Sequence, residues 1–196
     1  MNDVIDIIRY NEKGKLLLNF ILIIFCIFNI VINNNTYKSV LSNKYKKVDT
    51  INQLNKSYKN TSFISLDLSK AKKEDYQIKS KNKKADIYTL NLNNQNVLVL
   101  IQENTIVTDS TNVEFINNSL TVQDIKSKFE DNNYYKLVLS NIDLNNDIKI
   151  NLYKFYILIA LIIISICLSF INIIHIIKPK STSTYKKYIK NNNIEY

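Results

Sequence analysis

Ser165, Ser169 and Asn172 stand at i, i+4 and i+7 within a long apolar run, a spacing that puts all three on one face of a helix. Hydroxyl and amide groups on such a face can hydrogen-bond a neighbouring helix or line a polar path. Asn19 and Cys26 share a face of a second apolar run, with Asn29 on its flank. An antiparallel pair of helices sets Asn19 at the depth of Asn172, and the spacing predicts a hydrogen bond between them. His175, the only histidine, lies close to the same face. Helix packing is the expected role of these groups, in preference to a pore built by several copies.

Outside the apolar runs the densest chemistry is basic. Lys70, Lys72, Lys73, Lys79, Lys81, Lys83 and Lys84 form a cluster that can attract an anionic polymer or a lipid headgroup, or simply stay solvated on a hairpin. Asp143, Asn145 and Asp147 match the first, third and fifth ligands of a calcium-binding EF-hand loop. Ile148 then stands where the loop needs glycine and Lys154 where it needs glutamate, so an Asn-Asp turn is expected instead. The carboxylate pairs Glu74-Asp75 and Glu130-Asp131 lie in polar stretches, without the apolar surroundings that raise a pKa for general acid work.

Several function classes are excluded by what is missing. Gly14 is the only glycine, which removes glycine-rich phosphate loops, dinucleotide fingerprints and nucleophile elbows together. With His175 in an apolar run, no Ser-His-Asp or Cys-His arrangement forms in the polar region. Cys26 and Cys167 both lie in apolar runs and read as small packing groups, which leaves the polar region without a disulfide or a cysteine zinc site. The net charge is +9, yet Arg9 is the only arginine, and arginine is the residue suited to bidentate phosphate and base-edge recognition. No cofactor, metal, small-molecule substrate or nucleic acid is expected.

Two elements must position these groups. The runs Leu16–Ile32 and Phe155–Ile177 are long enough to cross a bilayer, the first spanning ~26 Å at ~1.5 Å per residue. Tyr153 and Tyr156 suit an interfacial aromatic belt, Lys154 and Lys178 can reach headgroups, and Pro179 ends the second helix. Arg9, Lys13 and Lys15 precede the first run, and Asn33-Asn34-Asn35-Thr36-Tyr37 after it has no small-residue cleavage site, so an uncleaved signal anchor is expected. Lys178, Lys180, Lys186, Lys187 and Lys190 place the tail on the cytoplasmic side by the positive-inside rule, and two spans bring the N-terminus to that side too.

The expected organisation is a cytoplasmic arm over 1–15, a transmembrane helix over 16–32, an extracytoplasmic domain over 33–151, a second transmembrane helix over 152–177 and a basic cytoplasmic tail over 178–196. Within the domain, apolar spacing predicts one helix in Ser39–Tyr58 and a short helix in Asp124–Glu130 capped by Thr121. Alternation predicts half-buried strands in Thr61–Leu68 and Ala85–Leu92, a turn at Asn93-Asn94, and a central strand at Val97–Ile101. Thr105–Thr108, Val113–Ile116 and Tyr134–Ser140 complete the strand set. The fold class is an α+β membrane protein: two transmembrane helices flank a small, mostly antiparallel β domain, drawn as a partly closed barrel with one or two short helices.

Val4-Ile5-Asp6-Ile7-Ile8-Arg9-Tyr10 resembles the entry segment of polysaccharide co-polymerases, two-span regulators of chain length, although the proline-rich segment near their second span is missing here. The tail Ile177-Lys178-Pro179-Lys180 with Tyr185-Lys186-Lys187-Tyr188 resembles uncharacterised two-pass bacterial membrane proteins with a small β-rich external domain, a likeness that implies no activity. The expected function is an accessory or interaction role without catalysis, the external domain contacting a membrane or envelope protein, an envelope polymer or a second copy. A chain-length regulator and an oligomeric channel are the alternatives.

Overall fold

A computed structural model describes residues 2–80, 83–116, 125, 127 and 134–191. The chain divides into two compact units, one of residues 1–32 and 154–196 and one of residues 33–153.

The first unit is helical. α1 runs Asn2–Ile32, so the helix begins well before the apolar run at Leu16. Asp3, Glu12 and Lys15 are compatible with helix and need no apolar surroundings to join it. α4, Leu144–Ile177, likewise starts before its apolar run and takes in Asn145 and Asp147, which were expected to form a turn. Asp147 in its first turn faces the positive end of the helix dipole. Both helices are long and apolar enough to cross a membrane by length and composition. After Pro179–Ser181, a single 3-10 turn, α5 covers Ser183–Asn191 and packs Tyr185 and Ile189 on Ile8 of α1.

The second unit is built on a sheet. Where one helix was expected over Ser39–Tyr58 there are two, α2 (Asn34–Ser42) and α3 (Ile51–Tyr58), separated by β1 (Lys46–Val48). The break falls at Asn43, whose φ of 51° is left-handed and cannot continue a helix. α3 starts with a capping box: Thr50 accepts the Gln53 amide at 3.3 Å, and the Gln53 side chain accepts the Asp49 amide at 2.9 Å. The remaining strands are β2 (Phe63–Leu66), β3 (Lys72–Ser80), β4 (Lys83–Leu92), β5 (Gln95–Gln102), β6 (Thr111–Phe115) and β7 (Tyr134–Ser140).

These strands form one mixed sheet in the order β1-β2-β6-β7-β5-β4-β3. The β1–β2 and β5–β7 pairs are parallel and the other pairs antiparallel. The sheet is open, with β1 and β3 at its edges, so the expected partly closed barrel does not form. Thr105–Thr108 is not a strand, and the helix expected over Asp124–Glu130 with its Thr121 cap lies outside the described residues apart from Ile125 and Ser127.

β5 explains the architecture. Its continuous apolar run sends Val97, Val99 and Ile101 to one face and Leu98 and Leu100 to the other, all essentially without exposure. A strand buried on both faces requires cover on both. Leu54 of α3 and Leu66 and Leu68 join the first core, while Ile125 and Ile142 close the second. β2, expected to be half-buried, is also buried on both faces, because Phe63 packs with Val40 of α2 and Leu144 of α4 in a third cluster. The β4–β5 turn uses Asn93 and Asn94 at φ 50° and 63°, in a chain that has only one glycine to offer such positions. Asparagine is the next best residue there, since its short polar side chain bonds locally.

Candidate functional site

In the helical unit, Ile8, Glu12 and Cys26 are buried along α1, and Ser165, Ser169 and Asn172 along α4. The three α4 residues expected to share a face are therefore all turned inward. The hydrogen bond expected between Asn19 and Asn172 does not form: the Asn19 amide nitrogen is buried without a partner. The Ser169 hydroxyl donates to the Ser165 carbonyl one turn earlier at 2.7 Å and is satisfied within its own helix. Cys26 is fully buried and Cys167 exposed, both as free thiols.

The polar contacts between the helices lie nearer the start of α1. Glu12 accepts from the Lys15 ammonium at 2.6 Å and lies 3.4 Å from His175 Nδ1, while Arg9 Nε donates to the Ile176 carbonyl at 3.3 Å. Sequence reading passed over Glu12, although it stands on the same stripe as Ile8, Asn19 and Cys26 at four- and seven-residue steps. An amide buried without a partner costs more than an apolar group of similar size. Asn19→Leu is accordingly expected to leave the thermal stability of the detergent-solubilised protein unchanged or raised. A loss of about 1 kcal/mol, the worth of a bond between helices, would show that the amide is satisfied.

The lysine cluster of the sequence lies on and beside the β3–β4 hairpin, and three of its six described members are ion-paired. Lys72 pairs with Glu74 at 3.0 Å, Lys73 with Asp86 at 2.7 Å, and Lys83 donates to the Ile142 carbonyl at 2.8 Å and to Asp143 at 3.3 Å, just before α4. Lys70, Lys79 and Lys84 are exposed with no ion pair among the described residues, and Lys79 faces Lys84 directly across the strands. Lys81 lies outside the described residues. Asp143 and Asp147, from the calcium-like spacing, sit at the start of α4.

Two carboxyls of the hairpin, Glu74 and Asp86, are held in their charged form. Burial pushes Glu74 up, but the Thr89 hydroxyl and the Lys72 ammonium outweigh it and bring it below the ordinary glutamate value. The Lys73 ammonium holds Asp86 below the ordinary aspartate value of 3.8, against burial and with help from Gln77 at 2.7 Å. A carboxyl whose pKa is lower when folded stabilises the fold above its unfolded value and stops doing so as pH falls through the folded one. Asp86→Asn is thus expected to melt below the wild type at neutral pH, the two curves converging once the pH falls below 3.8. A gap that stays constant into acid would remove the ion pair as its cause.

A second basic region was not foreseen. α2, the Asn43 bend, β1 and α3 enclose an open cavity of about 420 Å³. Lys38, Lys44, Lys46 and Lys56 line it, none ion-paired to a described residue, and the Ser57 beside them is buried. The Ser57 oxygen is buried and has no hydrogen-bond partner.

No protein-family model matches this chain, and no curated protein or solved structure matches it either. Its functional reading therefore rests on the geometry. A sequence signal for the cavity did exist: from Asn33 to Leu66 the chain carries six lysines and one acid, Asp49. Only Lys44, Lys46 and Lys47 are close in sequence, while Lys38, Lys56 and Lys59 stand apart from them, and the packing of α2 beside α3 brings four of the six to one cavity.

Proposed function

We propose that this chain is a two-pass integral membrane protein of the cell membrane with both termini in the cytoplasm. Its extracytoplasmic sheet domain has an accessory or interaction role without catalysis, contacting a membrane or envelope protein, an envelope polymer or a second copy. The observation that carries the reading is the burial of the two long apolar helices. The core helix of a soluble protein is mostly buried, whereas the most apolar windows of α1 and α4 are only 6% and 17% buried. Leu17, Phe20, Phe25 and Phe28 on α1, and Ile163 and Phe170 on α4, face outward, the arrangement lipid favours. Between these helices lies a domain with its own cores, a form suited to presenting a surface.

The form of that contact is constrained by the sheet edges. β1 has only three residues, with Lys46 and Lys47 exposed, and β3 carries Lys72, Lys73 and Lys79 and a register shift between Lys73 and Gln77. Short length, lysines and bulges all discourage a partner strand from adding to an edge, so the contact runs through side chains. A pore lined by Ser165, Ser169 and Asn172 finds less support, since these residues are already buried within one copy. A chain-length regulator finds less support too, since the polysaccharide co-polymerases it resembles carry long external helices, and among the described residues this domain has a sheet with two short ones, α2 and α3.

The test is crosslinking in intact cells from a photoreactive residue placed in turn at Lys83 and at Asn94, with the adducts identified by mass spectrometry. One specific membrane or envelope protein is the expected product for a hetero-contact. Adducts of the chain with itself indicate a homo-oligomer. The absence of any specific adduct from either position would sink the interaction reading.

A further inference from the structure

The tail of the helical unit folds back instead of trailing away. Thr182 donates to the Pro179 carbonyl at 2.8 Å and accepts the Tyr185 amide at 3.2 Å, which closes the 3-10 turn and caps α5 in one residue. The capped helix lies on α1, where Tyr185 and Ile189 bury against Ile8, with Val4, Ile5 and Tyr188 beside them. A nine-residue helix is marginal in water by itself, so α5 keeps its form through this contact. Three buried side chains are a small apolar contact with which to hold it.

The charge carried by α5 works against that contact. Lys186, Lys187 and Lys190 stand exposed on α5, Lys178 and Lys180 beside the turn before it, and Lys13 on α1. None of the six is ion-paired to a described residue. Arg9 and Lys15 are matched by Asp6 at 3.9 Å and Glu12 at 2.6 Å, so Asp3 is the one acid left over among the described residues of this unit. A tail spread through solvent keeps its lysines apart. Folded onto α1 it holds them at higher density beside further cations, and like charges brought together repel.

We propose that α5 is a strap whose closed form is an interaction surface for anionic lipid, the headgroups supplying the counter-charge that holds it against α1. The position of the strap along α1 points to headgroups as the partner. Ile8 precedes Leu16, where the apolar run begins, by eight residues, or ~12 Å of helix. The polar layer on each side of a bilayer is roughly 5–7 Å thick, and a Debye length of ~8 Å covers the remaining distance. Lys178 directly follows the last residue of α4 and lies nearer still. Lysines close to such a surface act by charge and need no shaped pocket. A ligand shifts a two-state equilibrium only by favouring one state, and the closed strap, with the denser charge, is the state that anionic headgroups favour. The inference rests on the two-pass reading above.

The test is oxidative crosslinking of Ile8→Cys/Ile189→Cys in the full-length protein in nanodiscs, the linked peptides being identified by mass spectrometry so that Cys26 and Cys167 are told apart from the new pair. Linkage is expected to form roughly threefold faster or more in discs containing phosphatidylglycerol than in phosphatidylcholine alone, the gain vanishing at about 1 M salt. Adding Lys186→Gln, Lys187→Gln and Lys190→Gln is expected to speed linkage in phosphatidylcholine, by removing repulsion, and to abolish the dependence on lipid. Lys79→Gln/Lys84→Gln on the hairpin is expected to change neither rate. Because the cysteines replace two of the packed side chains, amide exchange over residues 183–191 of the unsubstituted chain is the second measurement, and slower exchange with phosphatidylglycerol is expected. Equal linkage rates and equal exchange in the two discs overturn the proposal. Slower linkage with phosphatidylglycerol also overturns it, in favour of α5 lying on the bilayer with Tyr185 and Ile189 inserted. A chain that does not enter discs at all removes the two-pass reading and this inference together, so the two failures are distinguishable.

Discussion

Phe63→Ala is expected to cost the sheet domain about 3–5 kcal/mol, the range for removing a fully buried phenylalanine. Phe63 is 1% exposed and sits on the face of β2 away from the Ile64 and Leu66 core. Its ring contacts Tyr45 edge to face at 6.3 Å between centroids and packs with Val40 and Leu144, with Ile148 and Leu152 beside it. The substitution therefore loosens β2, α2 and the start of α4 together. Thermal unfolding of the detergent-solubilised protein, followed by tyrosine fluorescence because the chain has no tryptophan, provides the measurement. A loss below about 1 kcal/mol would mean that the cluster is not packed around this ring.

The second large effect belongs to β5. Leu100→Ala is expected to cost about 2–5 kcal/mol, a substantial part of the 5–15 kcal/mol that holds a typical domain. Leu100 is fully buried, stands opposite Ile87 on β4 and Ser140 on β7, and shares its core with Leu98 and Val138. β5 is paired on both sides, which fixes its backbone, so the cavity left on this face is lined by Ile87, Val138 and Ile142 and closes only as far as their side chains can shift. Urea titration gives the free-energy change, and amide exchange is expected to show β5 as the slowest-exchanging strand of the wild type. Fast exchange at Val99 and Leu100 would place the stable core elsewhere.

How far the chain can be read before it folds depends on the reach of each interaction. The long apolar runs were legible, because contact with an apolar surrounding follows from composition over a single stretch. So were the strands at Ala85–Leu92, Val97–Ile101, Val113–Ile116 and Tyr134–Ser140, each within a few residues of its observed bounds, since alternation and continuous apolar runs are local patterns. The single helix expected over Ser39–Tyr58 failed at one dihedral angle. Leu41, Tyr45 and Val48 keep helical spacing on paper, and Asn43 turns left-handed between them. β3 gave no signal because Tyr76 and Ile78 are its only apolar residues and the lysines and acids that suit an edge strand hide their alternation. β1 is three residues long and is defined by its parallel pairing with β2, which lies beyond an intervening helix.

The same distinction separates the two sets of polar residues. Ser165, Ser169 and Asn172 could be placed on one face from their spacing, because a helix is a one-dimensional repeat and its faces are fixed by residue number. Whether Asn19 would meet Asn172 depended on the relative rotation and depth of two helices, which no local pattern encodes, and the Asn19 amide was left without a partner. The gathering of Lys38, Lys44, Lys46 and Lys56 along one cavity is of that second kind. Each lysine is unremarkable in its own segment, and the cavity exists because burying Leu54 and Val48 in one core and Val40 in another brings the segments together. Burial of apolar area is non-directional in the chain, so the polar groups it carries along acquire their neighbours only when the core closes.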